Sequence, residues 1–293
     1  MSSGNLIDLR RRVRSVKNIQ QITRAMKFVS ASKLRRAQDR IFAARPYANR
    51  MLSVLNSLAT RVDASRHPLL AQRNSDKTML VVITGDKGLC GAFNANIIRS
   101  AVQFIEDEAV NETLSLTLVG RKGYEWFKTR PWPIRHEYLN IMSQVDYEYA
   151  QQIAQNIMTY YVQSELDSVY LVYNEFKSVI SQKVVIEPLL PIRRLDTDLS
   201  GYPLMDYIYE QPPAVILDRL LPKHVETQIY RALLESEASE HGARMTAMDS
   251  ATRNAKEMIE KITLHINRVR QASITTEIIE IVSGANALQE SRS

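Results

Sequence analysis

The chain contains one stretch that no compact domain can absorb. From Lys223 to Val282 there is no proline and one glycine, Gly242, and Met245, Met248, Thr252, Ala255, Ile259, Ile262, Ile266, Val269 and Ser273 recur at alternating steps of three and four. A period of 3.5 held for four heptads is the signature of a coiled-coil strand. At 1.5 Å per residue such a helix is about 90 Å long, roughly two to three times the width of a small domain. It must project, and a second helix must cover its seam.

That second helix is written at the other end of the chain. Asn5 followed by Asp8 reads as a helix start, with side-chain oxygens for the orphan amides and a carboxylate at the positive dipole end. Leu9, Val13, Val16, Ile19, Thr23, Met26, Ser30, Leu34, Ala37 and Ile41 then recur every three or four residues, with no proline before Pro46. After Pro46 the helix is expected to resume through Tyr47, Met51, Leu55 and Leu58. Both stripes are narrow and mixed with Ala, Ser and Thr, so the two axes can come close. Because the helices sit at opposite ends of the sequence, antiparallel pairing is the economical topology. Pro222 is expected to start or kink the C-terminal helix, and Gly284 to cap it. Glu240 with Arg244, Asp249 with Arg253 and Glu257 with Lys261 read as acid-before-base pairs on its wet face.

Between the helices the period changes. Thr78 to Thr84 is a continuous apolar run ending in a glycine-punctuated turn, as for a strand buried on both faces. Helices are predicted over Asn94–Ala109, Lys122–Lys128 and Asp146–Gln163, and strands over Leu114–Val119, Ser168–Asn174 and Lys183–Leu189. This alternation argues a layered α/β domain with a largely parallel sheet. The division is then an N-terminal helix over 1–60, an α/β domain over 75–195, a Pro-, Gly- and Tyr-bearing connector over 196–212 and a C-terminal helix over 213–293.

Composition excludes several classes. No apolar run reaches the length of a spanning helix, so direct membrane insertion is not expected. Cys90 is the only cysteine, which excludes an intramolecular disulfide and a cysteine-based zinc site. The five histidines are scattered, no serine has a nucleophile elbow around it, and no cofactor, metal or catalytic residue is predicted. The loop Gly85–Gly91 (GDKGLCG) follows a strand and precedes a helix, yet fits neither the dinucleotide fingerprint nor the P-loop, and reads better as a tight turn packed under helices.

Charge is lopsided. Between Asn5 and Arg45 twelve Arg and Lys face only Asp8 and Asp39, while the whole chain carries +6. The basic arm is either a solvated face or a surface for an anionic partner. Two function classes remain on physical grounds: a scaffolding rod held by partners, or a nucleic-acid-binding protein with a basic helical arm. Phe28 is the one aromatic between Arg10 and Arg40, which leaves the arm short of stacking positions for nucleic acid.

Four stretches carry a resemblance. Ile22–Asp39 (ITRAMKFVSASKLRRAQD), Thr84–Asn94 (TGDKGLCGAFN), Ala238–Ala251 (ASEHGARMTAMDSA) and Arg268–Ala285 (RVRQASITTEIIEIVSGA) closely resemble, in order and spacing, the gamma subunits of F-type ATP synthases. The resemblance implies α/β with long helices: an antiparallel two-helix coiled coil formed by the N- and C-terminal helices plus a central Rossmann-like α/β domain. It implies a non-catalytic rotor shaft inside a ring of alpha and beta subunits (three copies each), with the epsilon subunit and the membrane c-ring at its foot. By motif match, Met26, Arg244, Arg270, Gln271, Thr275 and Glu280 are the implied coupling contacts with the catalytic ring, Met26 facing the others across the coiled coil. Tyr207 and Glu210 are the implied foot contacts. Some members carry a redox-regulating cysteine pair, and Cys90 alone cannot supply that switch. The chain start, without an Arg-rich presequence, gives the expectation of a peripheral protein on the cytoplasmic face of a bacterial inner membrane.

Overall fold

The computed structural model describes residues 2–59, 67–71, 73, 77–107, 113–179, 181–192 and 211–290. In chain order the elements are α1 (Ser2–Ala59), β1 (Lys77–Ile83), α2 (Phe93–Asp107), β2 (Thr113–Val119), α3 (Arg121–Phe127), β3 (Ile134–Tyr138), α4 (Tyr147–Val162), β4 (Ser168–Phe176), β5 (Gln182–Leu190) and α5 (Pro213–Glu290). The chain is mixed α/β with a five-stranded sheet and two long helices. It divides into two compact units, Met1–Val29 with Ala247–Ser293, and Ser30–Thr246.

In the larger unit the sheet order is β3-β2-β1-β4-β5. The pairs β1–β2, β1–β4 and β2–β3 are parallel, and β4–β5 is antiparallel. The order reverses between β1 and β4, so the crevice beyond the carboxyl ends of those two strands is the switch point at which open α/β sheets bind ligands. One sheet face, with Leu80, Val82, Leu116 and Leu118, packs on Phe93, Ile97 and Phe104 of α2 and Phe127 of α3. The other, with Met79, Val81, Ile83 and Leu171, packs on Ile153 and Ile157 of α4, Leu34 to Leu58 of α1 and Leu217 to Ala238 of α5. Apolar residues on both faces explain why β1 reads as an unbroken hydrophobic run.

Four expectations are corrected. Helix α1 runs through Pro46, which is exposed, so the carbonyl that it deprives of a donor lies on the solvent side. Helix α5 starts at Pro213 and passes through Pro222, because buried Leu217, Leu221, Val225 and Ile229 form one stripe across it. That burial offsets the roughly 3 kcal/mol a helix-interior proline costs. Gly284 does not cap α5: the helix continues to Glu290 through residues with good helix propensity. Strand β3 was not expected, since IRHEY has little apolar content, although Ile134, His136 and Tyr138 alternate as the half-buried side of an edge strand.

In the smaller unit, Thr23 Oγ1 lies 2.8 Å from Thr252 Oγ1, and Lys27 Nζ donates to Asp249 Oδ1 at 2.5 Å. Numbers rise on α1 as they fall on α5. Met248 and Ala255 of α5 are buried, and Thr252, Ile259, Ile262, Ile266, Val269 and Ser273 are half-buried, as the seam predicts. On α1, Leu9 and Thr23 are buried and Val13, Val16 and Met26 half-buried, but Ile19 is 50% exposed and Gln20 is the half-buried residue. Val16, Gln20 and Thr23 are four and three apart and Val16, Ile19 and Thr23 three and four, so the 3.5 average holds either way and does not choose between them. Extending the register residue for residue sets Ser2 opposite about Ser273. From Ile274 to Gly284 every side chain of α5 is exposed.

Candidate functional site

The larger unit contains a buried polar junction at the switch-point crevice. Glu237, Glu240, His241 and Arg244 recur on one face of α5, between 4 and 8% exposed. The Arg244 guanidinium donates to Glu240 Oε1 at 2.5 Å and to the Gly88 carbonyl at 3.2 Å. A Cβ on Gly85 would stand 2.8 Å from Glu240 Cδ, so the chain approaches α5 there as closely as only glycine allows. Ser239 Oγ donates to the Asn174 carbonyl on β4 at 3.1 Å. From α1, Arg40 donates to Glu237 and, at 2.8 Å, to the Val145 carbonyl. The crevice where such sheets take a ligand is therefore filled by the protein's own helix.

The glycine-punctuated loop is consumed internally as well. Asp86 accepts three backbone amides, from Arg121 (3.0 Å), Asn140 (2.8 Å) and Met142 (3.0 Å). Asn94 Oδ1 accepts the Gly85 amide at 2.9 Å. Cys90 is buried with its thiol pushed up, first by burial and then by Glu240, and so is a poor nucleophile. Among the described residues no cluster of His, Cys, Asp and Glu is arranged to hold a metal ion, and no helix is long and apolar enough to cross a membrane.

The profile of the family described as ATP synthase matches residues 5–288. The ATP synthase gamma chain of Solibacter usitatus is 54% identical over 97% of this chain and 99% of its own length. The chain belongs to the ATP synthase gamma chain family. The gamma chain of Geobacter metallireducens is 52% identical over 98% and 99% of the two lengths. Among solved structures, a chain of the Tetrahymena thermophila mitochondrial ATP synthase central stalk and c-ring superposes with a TM-score of 0.59 at 30% identity, covering 78% of this chain and 99% of that one. A chain of the Euglena gracilis mitochondrial OSCP/F1/c-ring structure shares the fold, with a TM-score of 0.71 at 22% identity over 99% and 96% of the chains.

The positions expected from the family separate in space. Arg270, Gln271, Thr275 and Glu280 are exposed on the last described turns of α5, and Thr275 Oγ1 donates to the Gln271 carbonyl at 2.9 Å. Met26 does not face them: the register through Lys27 and Asp249 puts it beside α5 some twenty residues earlier, about 30 Å along the helix. Arg244 is buried in the junction, and the pair it forms with Glu240 is not on a wet face as expected. Tyr207 and Glu210 lie outside the described residues. Arg40, Glu237 and His241 were missed. For Glu237 and His241 the signal was a run of ionisable residues at helical spacing on the α5 face that also carries Leu233 and Ala238, which an amphipathic reading assigns to water, and for Arg40 it was a lone cation next to Ile41 on the apolar stripe of α1.

The junction carries a testable pH signature. Burial pushes the Glu237 carboxyl up to about 7, chiefly against the pull of Arg40 and with help from Glu240. The folded state therefore holds this proton more tightly than the unfolded state, so its contribution to stability falls as pH rises from about 4.5 to 7 and is level above. His241 and His224, both pushed down to about 4 by burial, act oppositely, since the unfolded chain protonates them from 6.5 downward. Glu237→Gln removes only the first effect. Relative to wild type, the variant is expected to gain about 3 kcal/mol between pH 5 and 8 in urea titrations. A pH-independent difference would show that Glu237 is ionised throughout.

Proposed function

We propose that the chain is the rotating central-stalk subunit of an F-type ATP synthase, coupling ion flow through a membrane ring to conformational cycling of catalytic subunits in ATP synthesis or hydrolysis. The observation that carries this reading is the full-length likeness to curated gamma chains, 97–98% of this chain against 99% of theirs. The nucleic-acid alternative gains nothing, since Arg40 and Lys27 of the basic arm are engaged by Glu237 and Asp249.

On this reading residues 1–60 and 213–293 form an antiparallel coiled coil, 75–195 a central Rossmann-like domain and 196–212 a connector at the foot. The Thr23–Thr252 and Lys27–Asp249 contacts and the half-buried seam support the coiled coil. The partners are alpha and beta subunits around the shaft, with epsilon and the c-ring at its foot, on the cytoplasmic face of a bacterial membrane. The shaft performs no chemistry. A single asymmetric helix pair inside a three-fold ring contacts each catalytic site differently at each angle, and a partner shifts an equilibrium only through such differential contact. Arg270, Gln271, Thr275 and Glu280 serve as contacts with the ring, Met26 and Arg244 act from their separate positions, and Tyr207 with Glu210 meets the foot.

The exposed end of α5 supports the contact role. Ile274, Ile278 and Ile281, spaced four and three apart, are 49, 55 and 72% exposed. Ile278→Asp is expected to leave the chain's own stability within about 0.5 kcal/mol of wild type, because nothing is unburied. It is expected to weaken assembly with the alpha and beta subunits. A lowered melting temperature of the isolated chain with intact assembly would reverse that assignment. The function itself is tested by native mass measurement after affinity purification from the source cell: one copy of this chain beside three each of two larger subunits is expected, and purification without them would overturn the reading.

A further inference from the structure

Both tryptophans of the chain lie in one short segment of the larger unit. Residues 121–135 (RKGYEWFKTRPWPIR), which span α3, the loop after it and the start of β3, carry Trp126, Trp132 and five cations against the single carboxylate Glu125. The two indoles are half-buried, and Lys128, Arg130, Pro131 and Pro133 around them are exposed. The cations divide by partner. Lys122 is bonded to Glu125 at 2.5 Å and Arg135 to Glu165 at 2.7 Å, whereas Lys128 and Arg130 have no carboxylate partner among the described residues. Beside Trp126 an open groove of about 700 Å³ runs between α2 and α3 over Ala95, Ile98 and Val102. Its own charges balance, Arg99 and Lys122 against Glu106 and Glu125, so the excess positive charge belongs to the loop.

We propose that this rim is an interfacial docking surface for a bilayer containing anionic lipid, met at the level of the headgroups and not crossed. Each part of such a partner has its counterpart here. Indole rings, apolar in body with a polar N–H, settle at the boundary between water and hydrocarbon. The uncommitted Lys128 and Arg130 answer the negative potential of an anionic leaflet, which acts on cations held close to it. Half-exposed Ile98 and Val102 extend the apolar area beside Trp126. Single-stranded nucleic acid also seeks basic, aromatic surfaces, but it binds by stacking bases on open ring faces. Trp126 is already stacked: the Arg130 guanidinium lies 4.1 Å from its ring centre, and Trp132 is inclined to it by only 17°. A bilayer asks for no free face. The arm of α1 from Arg10 to Arg40 carries more cations but no tryptophan, so charge and indole coincide in this segment alone. The inference goes beyond the rotor assignment and does not rest on it.

The test titrates the full chain with vesicles of phosphatidylcholine, alone or mixed equally with phosphatidylglycerol, and follows tryptophan emission, which reports on this segment only. A saturable blue shift is expected with the mixed vesicles, about tenfold tighter or more than with the neutral ones, and weakened by salt. Phosphatidylcholine brominated on its acyl chains, used in the same mixture, is expected to quench the emission. Lys128→Gln with Arg130→Gln is expected to weaken binding about thirtyfold, a factor of about five for each cation. Because Arg130 touches Trp126, the affinity of this double variant is also read by co-sedimentation with the vesicles, which needs no fluorescence. Arg11→Gln with Arg14→Gln, two exposed cations of α1, is the control for the basic arm and is expected to keep the shift. Absence of a shift, equal binding to neutral vesicles, binding that survives the rim variant and is lost with the α1 variant, or an equal shift with a single-stranded oligonucleotide would each overturn the surface.

Discussion

Gly120→Ala is expected to prevent the larger unit from folding. Gly120 joins β2 to α3 at φ +90°, and a Cβ there would stand 2.0 Å from the Thr84 carbonyl oxygen and 2.7 Å from its carbon. Thr84 cannot retreat. Its amide donates to the Val119 carbonyl at 2.8 Å, its hydroxyl donates to the same oxygen at 3.0 Å, and that hydroxyl accepts the Gly123 amide at 2.8 Å. Moving it means opening the parallel pair β1–β2 at Ile83 and Val119. Backbone clash and forced left-handed geometry together put the loss at about 4 kcal/mol or more, a large share of a domain's stability. Urea unfolding followed by circular dichroism measures it. The control is Gly284→Ala, where an added Cβ meets nothing within 4 Å and the residue is helical, so a gain of up to about 1 kcal/mol is expected. Equal effects at the two glycines would refute the steric account.

Arg244→Leu is the second large effect. It leaves the Glu240 carboxylate 4% exposed with its main partner gone, and removes the donor to the Gly88 carbonyl. Stranding one member of a buried pair costs about 3 to 5 kcal/mol, whereas replacing both by apolar residues is often close to neutral. The double variant Glu240→Leu with Arg244→Leu is therefore expected to recover most of the loss. A thermodynamic cycle over the two single variants and the double one separates the pair from the packing. Additive losses would mean that the two groups are held by their surroundings and not by each other. Because burial raises Glu240 while Arg244 lowers it, the single variant is also expected to shift the carboxyl further toward its protonated form.

The difference between these residues and the seam explains what was readable. Period is a local property, so Met248, Thr252, Ala255 and Ile259 announce an α5 face whatever covers it, and β1 announces a strand buried on both faces. Acid-before-base spacing is local too, and it looks the same on a wet face and on a covered one. Glu240 with Arg244 could not be told from Asp249 with Arg253, yet Arg253 is 70% exposed and Arg244 10% at the side chain. Only the arrival of the Gly85–Gly91 loop decides between them. The same limit applies to Pro46 and Pro222, where a local cost is outweighed by burial that distant residues provide, and to Met26, whose motif match gave a role without a register.

The crevice at the end of β1 and β4 has a further consequence. Domains of this topology usually keep that space for a molecule that comes and goes. Here it holds α5, seated through Arg244 on Gly88 and Ser239 on Asn174, with Gly85 pressed against the helix. Directional bonds at several heights along one side resist twisting far better than a smooth greasy contact does, since each weakens steeply as its angle changes. The domain is keyed to the helix like a hub on a splined axle, so a torque on one is delivered to the other without slip.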